Sequence, residues 1–110
     1  MNAAIRNAKR KDVWLVDFGI EGKVRPCLLL TDYPSAGNDL ALITVIEHTT
    51  STRSGEWEIE IRKPFLKPGG VFHLQQLQSV KVSRFERHLG VLTEAEMRMV
   101  ESHLRRRLGL

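Results

Sequence analysis

The sequence predicts a small, mostly β domain of the SH3-like barrel class with a single C-terminal α-helix, and three observations carry that expectation. Short apolar segments parted by turn residues fill the first three quarters of the chain. No long helical pattern separates the early segments, which argues against a βαβ arrangement. A capped helical signature then closes the chain. At 110 residues there is material for one core, read as a single domain over residues 11–110. With 42% hydrophobic and 27% charged residues, disordered and low-complexity architectures are excluded.

The first strand is read at Val13 to Phe18 and the second at Arg25 to Thr31, joined by the loop Gly19 to Val24. Pro26 suits a strand's first positions, where a missing ladder donor costs little. Asp32 to Asp39 holds Pro34, Gly37 and Asn38 and reads as a loop. Leu40 to Ile46 follows as a nearly continuous apolar run, the pattern of a central strand buried on both faces. Glu56 to Arg62 alternates at period two, which predicts a half-exposed strand with Trp57, Ile59 and Ile61 in the core and Glu56, Glu58, Glu60 and Arg62 in solvent. Beyond the Pro68-Gly69-Gly70 turn, a strand is expected from Val71 to Val82, then a short helix at Ser83 to His88, where Ser83 and Glu86 have capping-box spacing. The main helix starts at Thr93, capped reciprocally with Glu96. Met97, Val100, Leu104 and Leu108 return at helical spacing, and Gly109 supplies the stop.

The 17 basic and 13 acidic residues give a formal charge of +4, unevenly placed. Arg6, Lys9, Arg10 and Lys11 lie before residue 12 and Arg105, Arg106 and Arg107 near the other end; the body between carries −3. A solvated tail and a helix C-terminus account for both clusters in structural terms, the arginines meeting the negative end of the helix dipole. Residues 1–10 read as a basic arm, either disordered or part of a groove. No apolar run approaches the roughly 20 residues of a membrane span and no secretory signal is evident, so the expected location is cytoplasmic, away from membranes. The single cysteine, Cys27, lies in an apolar run and is expected to be a buried, inert thiol.

Asp12-Val13-Trp14-Leu15-Val16-Asp17, Val24-Arg25-Pro26-Cys27-Leu28-Leu29-Leu30 and Thr49-Thr50-Ser51, in this order and spacing, resemble the MazF/PemK family of toxin endoribonucleases. The family pattern is a G-D-x-W-x-V-D-like strand, R-P-x-L-x-L, a strand ending P-x-T-[TS], a D-Q-x-R-like segment and a final helix ending in leucines. The resemblance implies a homodimer, to which Met99 could contribute, that cuts single-stranded RNA without metal or cofactor. It further implies neutralisation by an antitoxin whose acidic segment lies across the RNA groove.

On this resemblance Arg25 takes the family's Arg-Pro arginine and holds the scissile phosphate, and Thr49 takes the catalytic threonine, with Thr50 as the register alternative. Where many members carry Asp-Gln, this chain has Gln75-Gln76, and a neutral amide cannot transfer a proton at ordinary pH. His73, two residues earlier and on the same face of a regular strand, is the expected replacement. His48 points away from Thr49 by alternation and reads as structural. Glu21, Lys23, Thr50, Gln75, Gln76 and Tyr33 are the expected RNA contacts, Tyr33 by stacking on a base. Two alternatives stand beside the nuclease: a catalytically impaired module that binds RNA or antitoxin, and a gyrase-directed toxin of the same fold.

Overall fold

The computed structural model describes residues 3–20 and 23–110. Six strands form one antiparallel sheet: β1 (Asp12–Asp17), β2 (Val24–Leu29), β3 (Leu42–Thr49), β4 (Glu58–Ile59), β5 (Val71–Lys81) and β6 (Phe85–Val91), followed by α1 (Glu94–Leu108). Their order is β4-β5-β3-β2-β1-β6. The mostly β class with one terminal helix is therefore as expected, although in this order the sheet is open, with β4 and β6 as its ends. Among the described residues no helix is long and apolar enough to cross a membrane.

Alternation along the inner strands divides the core in two. Trp14, Val16, Cys27, Leu29, Ile43 and Val45 point to one face, while Val13, Leu28 and Ile46 point to the other. Burial on both faces is why the β3 segment reads as continuously apolar. Phe85 and Val80 complete the first cluster together with Ile5 and Ala8. Residues 3–10 are thus not a loose arm: a 3₁₀ turn at Ala3–Asn7 buries Ile5 completely. The second face is covered by Met97 and Val100 of α1 and by Ile59, Ile61 and Leu66.

Helix α1 keeps its expected caps. Thr93 and Glu96 bond reciprocally, and Gly109 ends the helix in the left-handed region at φ 73°. The apolar stripe stops at half-buried Leu104, since Leu108 is exposed. Both basic clusters dock this helix: Arg10 pairs with Glu101 and Lys11 with Glu94, and the Arg106 and Arg107 guanidiniums lie 5.2 and 5.3 Å from the centroid of half-buried Trp57.

Two expected elements differ. Ser83 to His88 is no helix: a 3₁₀ turn at Val82–Arg84 leads directly into β6, which pairs with β1 and buries Phe85. Six residues are too few for a stable isolated helix, whereas pairing satisfies the otherwise open edge of β1. Within Glu56 to Arg62 the alternation of burial survives at Ile59, Glu60, Ile61 and Arg62, but only Glu58–Ile59 joins the sheet. Glu58 is not in solvent; its side chain is 5% exposed, because its carboxylate accepts from the Arg53 and Ser54 backbone N–H groups.

Candidate active site

Antiparallel pairing sets the site. Cys27 lies opposite Glu47, Leu28 opposite Ile46 and Leu29 opposite Val45, so the start of β2 lies beside the end of β3. Arg25 Nη1 donates to Thr49 Oγ1 at 3.3 Å, and Arg25 Nε faces Glu47 Oε1 at 3.3 Å. The two residues on which the phosphate-binding expectation depends are thus in contact. Thr49 Oγ1 also accepts from the Ser51 N–H at 3.1 Å. With two donors already pointing at that oxygen, the hydroxyl's own hydrogen is left to donate outward. The Arg25 side chain is 30% exposed and lines a cavity, so its guanidinium can meet a ligand there.

The site also contains a carboxylate that sequence reading passed over. Glu47, two residues before Thr49, projects to the same face of β3, and its Oε2 accepts from Gln78 Nε2 of β5 at 2.7 Å. One signal was present in the sequence: Glu47 stands where the family pattern has proline. Gln78 likewise stands at the arginine of the D-Q-x-R segment. Arg25, His48, Thr49 and Thr50 line a cavity of about 270 Å³ with Lys67 and Arg87 against an apolar wall that includes Phe65 and Leu89; Glu47 is not part of that lining and meets it through Arg25. Lys67 and Arg87 had carried no sequence signal, being separated from Arg25 by tens of residues.

His48 projects to the opposite face, as alternation requires. Its ring packs edge-on against Phe72 at 5.0 Å and fills the space over Gly70, where a Cβ would come within 2.3 Å of it. Burial pushes its pKa down, favouring the neutral ring. Cys27 is buried and free. Burial pushes its thiol pKa up, Glu47 adds to that and Arg25 opposes it, which keeps the sulfur protonated and inert.

His73 has other partners than those expected. Ile46 pairs with Leu77 and His48 with Phe72, so residues 73–76 of β5 bulge out opposite the single residue Glu47. His73 and Gln75 do not share a regular strand face. His73 Nδ1 accepts from the Gln75 N–H at 3.2 Å, and Nε2 faces Glu58 Oε2 on β4 at 3.8 Å. The imidazole is turned toward β4 and bonds neither Arg25 nor Thr49. Of the expected RNA contacts, Lys23, Thr50, Gln75 and Gln76 are exposed. Tyr33 instead packs on the first core cluster, half-buried, because its loop is tied down by its N–H to the Ala8 carbonyl. Glu21 lies outside the described residues. Among the described residues no group of three or more His, Cys, Asp or Glu side chains could hold a metal ion.

A search by sequence among curated proteins found no match. By fold, the chain is similar to an endoribonuclease from a mycobacterial species solved with its cognate antitoxin, at 20% identity and TM-score 0.74, covering 93% of this chain and 95% of that one. It is similar also to the Mycobacterium tuberculosis toxin MazF-mt6, at 19% identity and TM-score 0.71, covering 90% and 97%. MazF from Deinococcus radiodurans matches at 20% identity and TM-score 0.69, covering 94% and 96%. The family model of the PemK-like, MazF-like toxins matches residues 9–108. With that match spanning nearly the whole chain, this protein belongs to the PemK-like, MazF-like toxins of type II toxin-antitoxin systems.

Proposed function

We propose that this chain is the endoribonuclease toxin of its system, cutting single-stranded RNA in the cytoplasm by attack of a 2′-hydroxyl on the adjacent phosphate, with no metal. The observation that carries the reading is the Arg25–Thr49 contact across the ends of β2 and β3. In the reaction the Arg25 guanidinium binds one non-bridging oxygen and the Thr49 O–H donates to the other. Charge building on the phosphoryl group thereby meets donors already in place. The 5′-oxygen leaves and the fragment retains a cyclic 2′,3′-phosphate.

Lys67 and Arg87 extend the cationic wall of the cavity for neighbouring phosphates. Neutralisation follows from the same charges: an acidic antitoxin segment competes with RNA for Arg25, Lys67 and Arg87. The working form is a homodimer, in keeping with the resemblance. Incubation with a defined single-stranded RNA in EDTA, followed by end-group analysis, tests the reading. Cyclic phosphate ends from wild type and none from Arg25→Ala are expected. Loss of cleavage in EDTA would remove metal independence, and RNA binding without cleavage would select the non-catalytic module.

A further inference from the structure

We propose that Glu47 is the general base of this site, taking the place of the acidic residue that Gln75 has displaced; the inference rests on the ribonuclease reading above. Attack by a 2′-hydroxyl needs a proton acceptor, and the imidazoles and carboxylates around the site other than Glu47 are less well placed for it. His73 is held by Glu58 and the Gln75 N–H. Glu58 has both carboxylate oxygens on backbone N–H groups. His48 borders the cavity and its Nε2 has no hydrogen-bond partner, but the ring is 3% exposed and packs edge-on against Phe72 on the side of β3 opposite Thr49, and Cys27 is a buried thiol. Glu47 alone among the described carboxylates contacts Arg25, and its side chain remains 12% exposed.

The surroundings of Glu47 suit the task. Arg25 and Cys27 face it from β2, and Gln78 faces it from β5, with His73 in the bulge beyond. Gln78 donates to one carboxylate oxygen and Arg25 Nε faces the other as an ion pair at 3.3 Å, so both oxygens keep lone pairs to offer. Gln78 fixes the carboxylate on one side while Arg25 spans it and Thr49 on the other, so base and phosphate ligand share one rigid strand face. In the reaction Glu47 takes the 2′-hydroxyl proton as the P–O2′ bond forms. The P–O5′ bond breaks with its electron pair passing to O5′, which is protonated by water. Glu47 then returns its proton to the resulting hydroxide, and the enzyme is restored.

Single-turnover cleavage of a short RNA in EDTA, measured from about pH 3.5 to 8 so that the range spans the ordinary glutamate region, tests this. Glu47→Gln, nearly isosteric and still able to accept from Arg25, is expected to cleave about 10²–10⁴-fold more slowly. It should also lose the acid limb of the wild-type profile and bind the uncleavable 2′-deoxy analogue as wild type does. An RNA with a 5′-thio leaving group, which needs no protonation, should not rescue it. Should Glu47→Gln fail to fold, Gln78→Ala is read instead: with one donor to the carboxylate removed, the acid limb moves to higher pH. Cleavage within about threefold of wild type, with an unchanged profile, overturns the assignment, as does an unmoved limb in Gln78→Ala. Rescue by the 5′-thio substrate would make Glu47 an acid instead. Wild type that leaves the RNA uncut sinks the ribonuclease reading and this one together, whereas wild-type cleavage with an indifferent Glu47→Gln sinks only this one.

Discussion

Glu47 and Glu58 sit on the same sheet, each beside a cationic or potentially cationic ring or fork, and their uses are opposite. Glu58 is sealed: its oxygens fasten the N–H groups of Arg53 and Ser54, and its outer side faces His73. Ser54 has φ 55°, a conformation uncommon for a residue with a side chain, so the carboxylate holds a strained turn closed. Glu47 is bound by side chains only, to a guanidinium that is always charged and whose next contact is a hydroxyl with a proton to give. A carboxylate consumed by backbone groups is a clamp, and one held by side chains at a strand end keeps acceptor capacity for a substrate. The difference separates structure from chemistry where residue type does not.

The largest effect expected from this contrast is on the Glu47 side. Arg25→Ala should lower single-turnover cleavage by about 10²–10³-fold, the usual cost of removing one donor from an oxyanion site. Arg25→Lys should recover little, because a point charge cannot span Glu47 and Thr49 as the fork does. The thermal midpoint should change far less than the rate, the side chain being 30% exposed. A large drop in midpoint with intact cleavage would reverse the assignments of the two corners.

On the other side, Glu58→Ala should act on stability. It removes the acceptor for two N–H groups, and since that turn is exposed water replaces part of the loss, leaving about 1–2 kcal/mol. Each kcal/mol lowers the midpoint by about 4–8 °C in a domain of this size. His73→Gln, which changes only the outer partner of the clamp, should cost less still. It should also leave cleavage between pH 5 and 9 unaltered, far short of the 10²–10⁴-fold expected for a group that transfers the proton. Calorimetry and the RNA assay on the same preparations separate these outcomes.

How much of this was legible in the sequence differs by residue. The short apolar runs of β1 to β3, and the Thr93 cap, rest on local rules and are legible directly. The meeting of Arg25 and Thr49 followed from two strand ends brought together by a known pattern. The bulge at residues 73–76 could not be read, since it depends on Trp57, whose carbonyl takes the Leu74 N–H at 2.8 Å and draws the strand toward β4. Only a regular β5 would put His73 on the same face as Gln75, and the bulge removes that regularity. At Ser83 the spacing of a capping box occurred without a helix, because a four-residue signature carries less weight than the open edge of β1. Glu47 carries no local signal of its role, because its significance arises from Arg25 and Gln78, 22 and 31 positions away.

The smallest expected effect concerns His48, which stands between Glu47 and Thr49 in the chain but faces the other side of β3. Burial against Phe72 and Gly70 lowers its folded-state pKa below the unfolded value, so near and below pH 6.5 the unfolded chain binds more protons than the folded one. Folded stability must then rise with pH in this range. The contribution is fully present above the unfolded pKa and is lost as the pH falls toward the folded one. Stability by urea titration should decline from pH 7 to 5 in wild type, and the decline should be shallower in His48→Phe, where nothing titrates at that position. The ring borders the cavity of Arg25 and Thr49 but packs on the other side of β3 from their contact, so its protonation loosens the support of the site rather than joining the chemistry. Between pH 7 and 6 cleavage by folded protein should therefore keep the same pH dependence in His48→Phe as in wild type. A changed cleavage profile in that variant would mean that the buried face of β3 is coupled to the reacting one, and that His48 shares in the proton transfer assigned to Glu47.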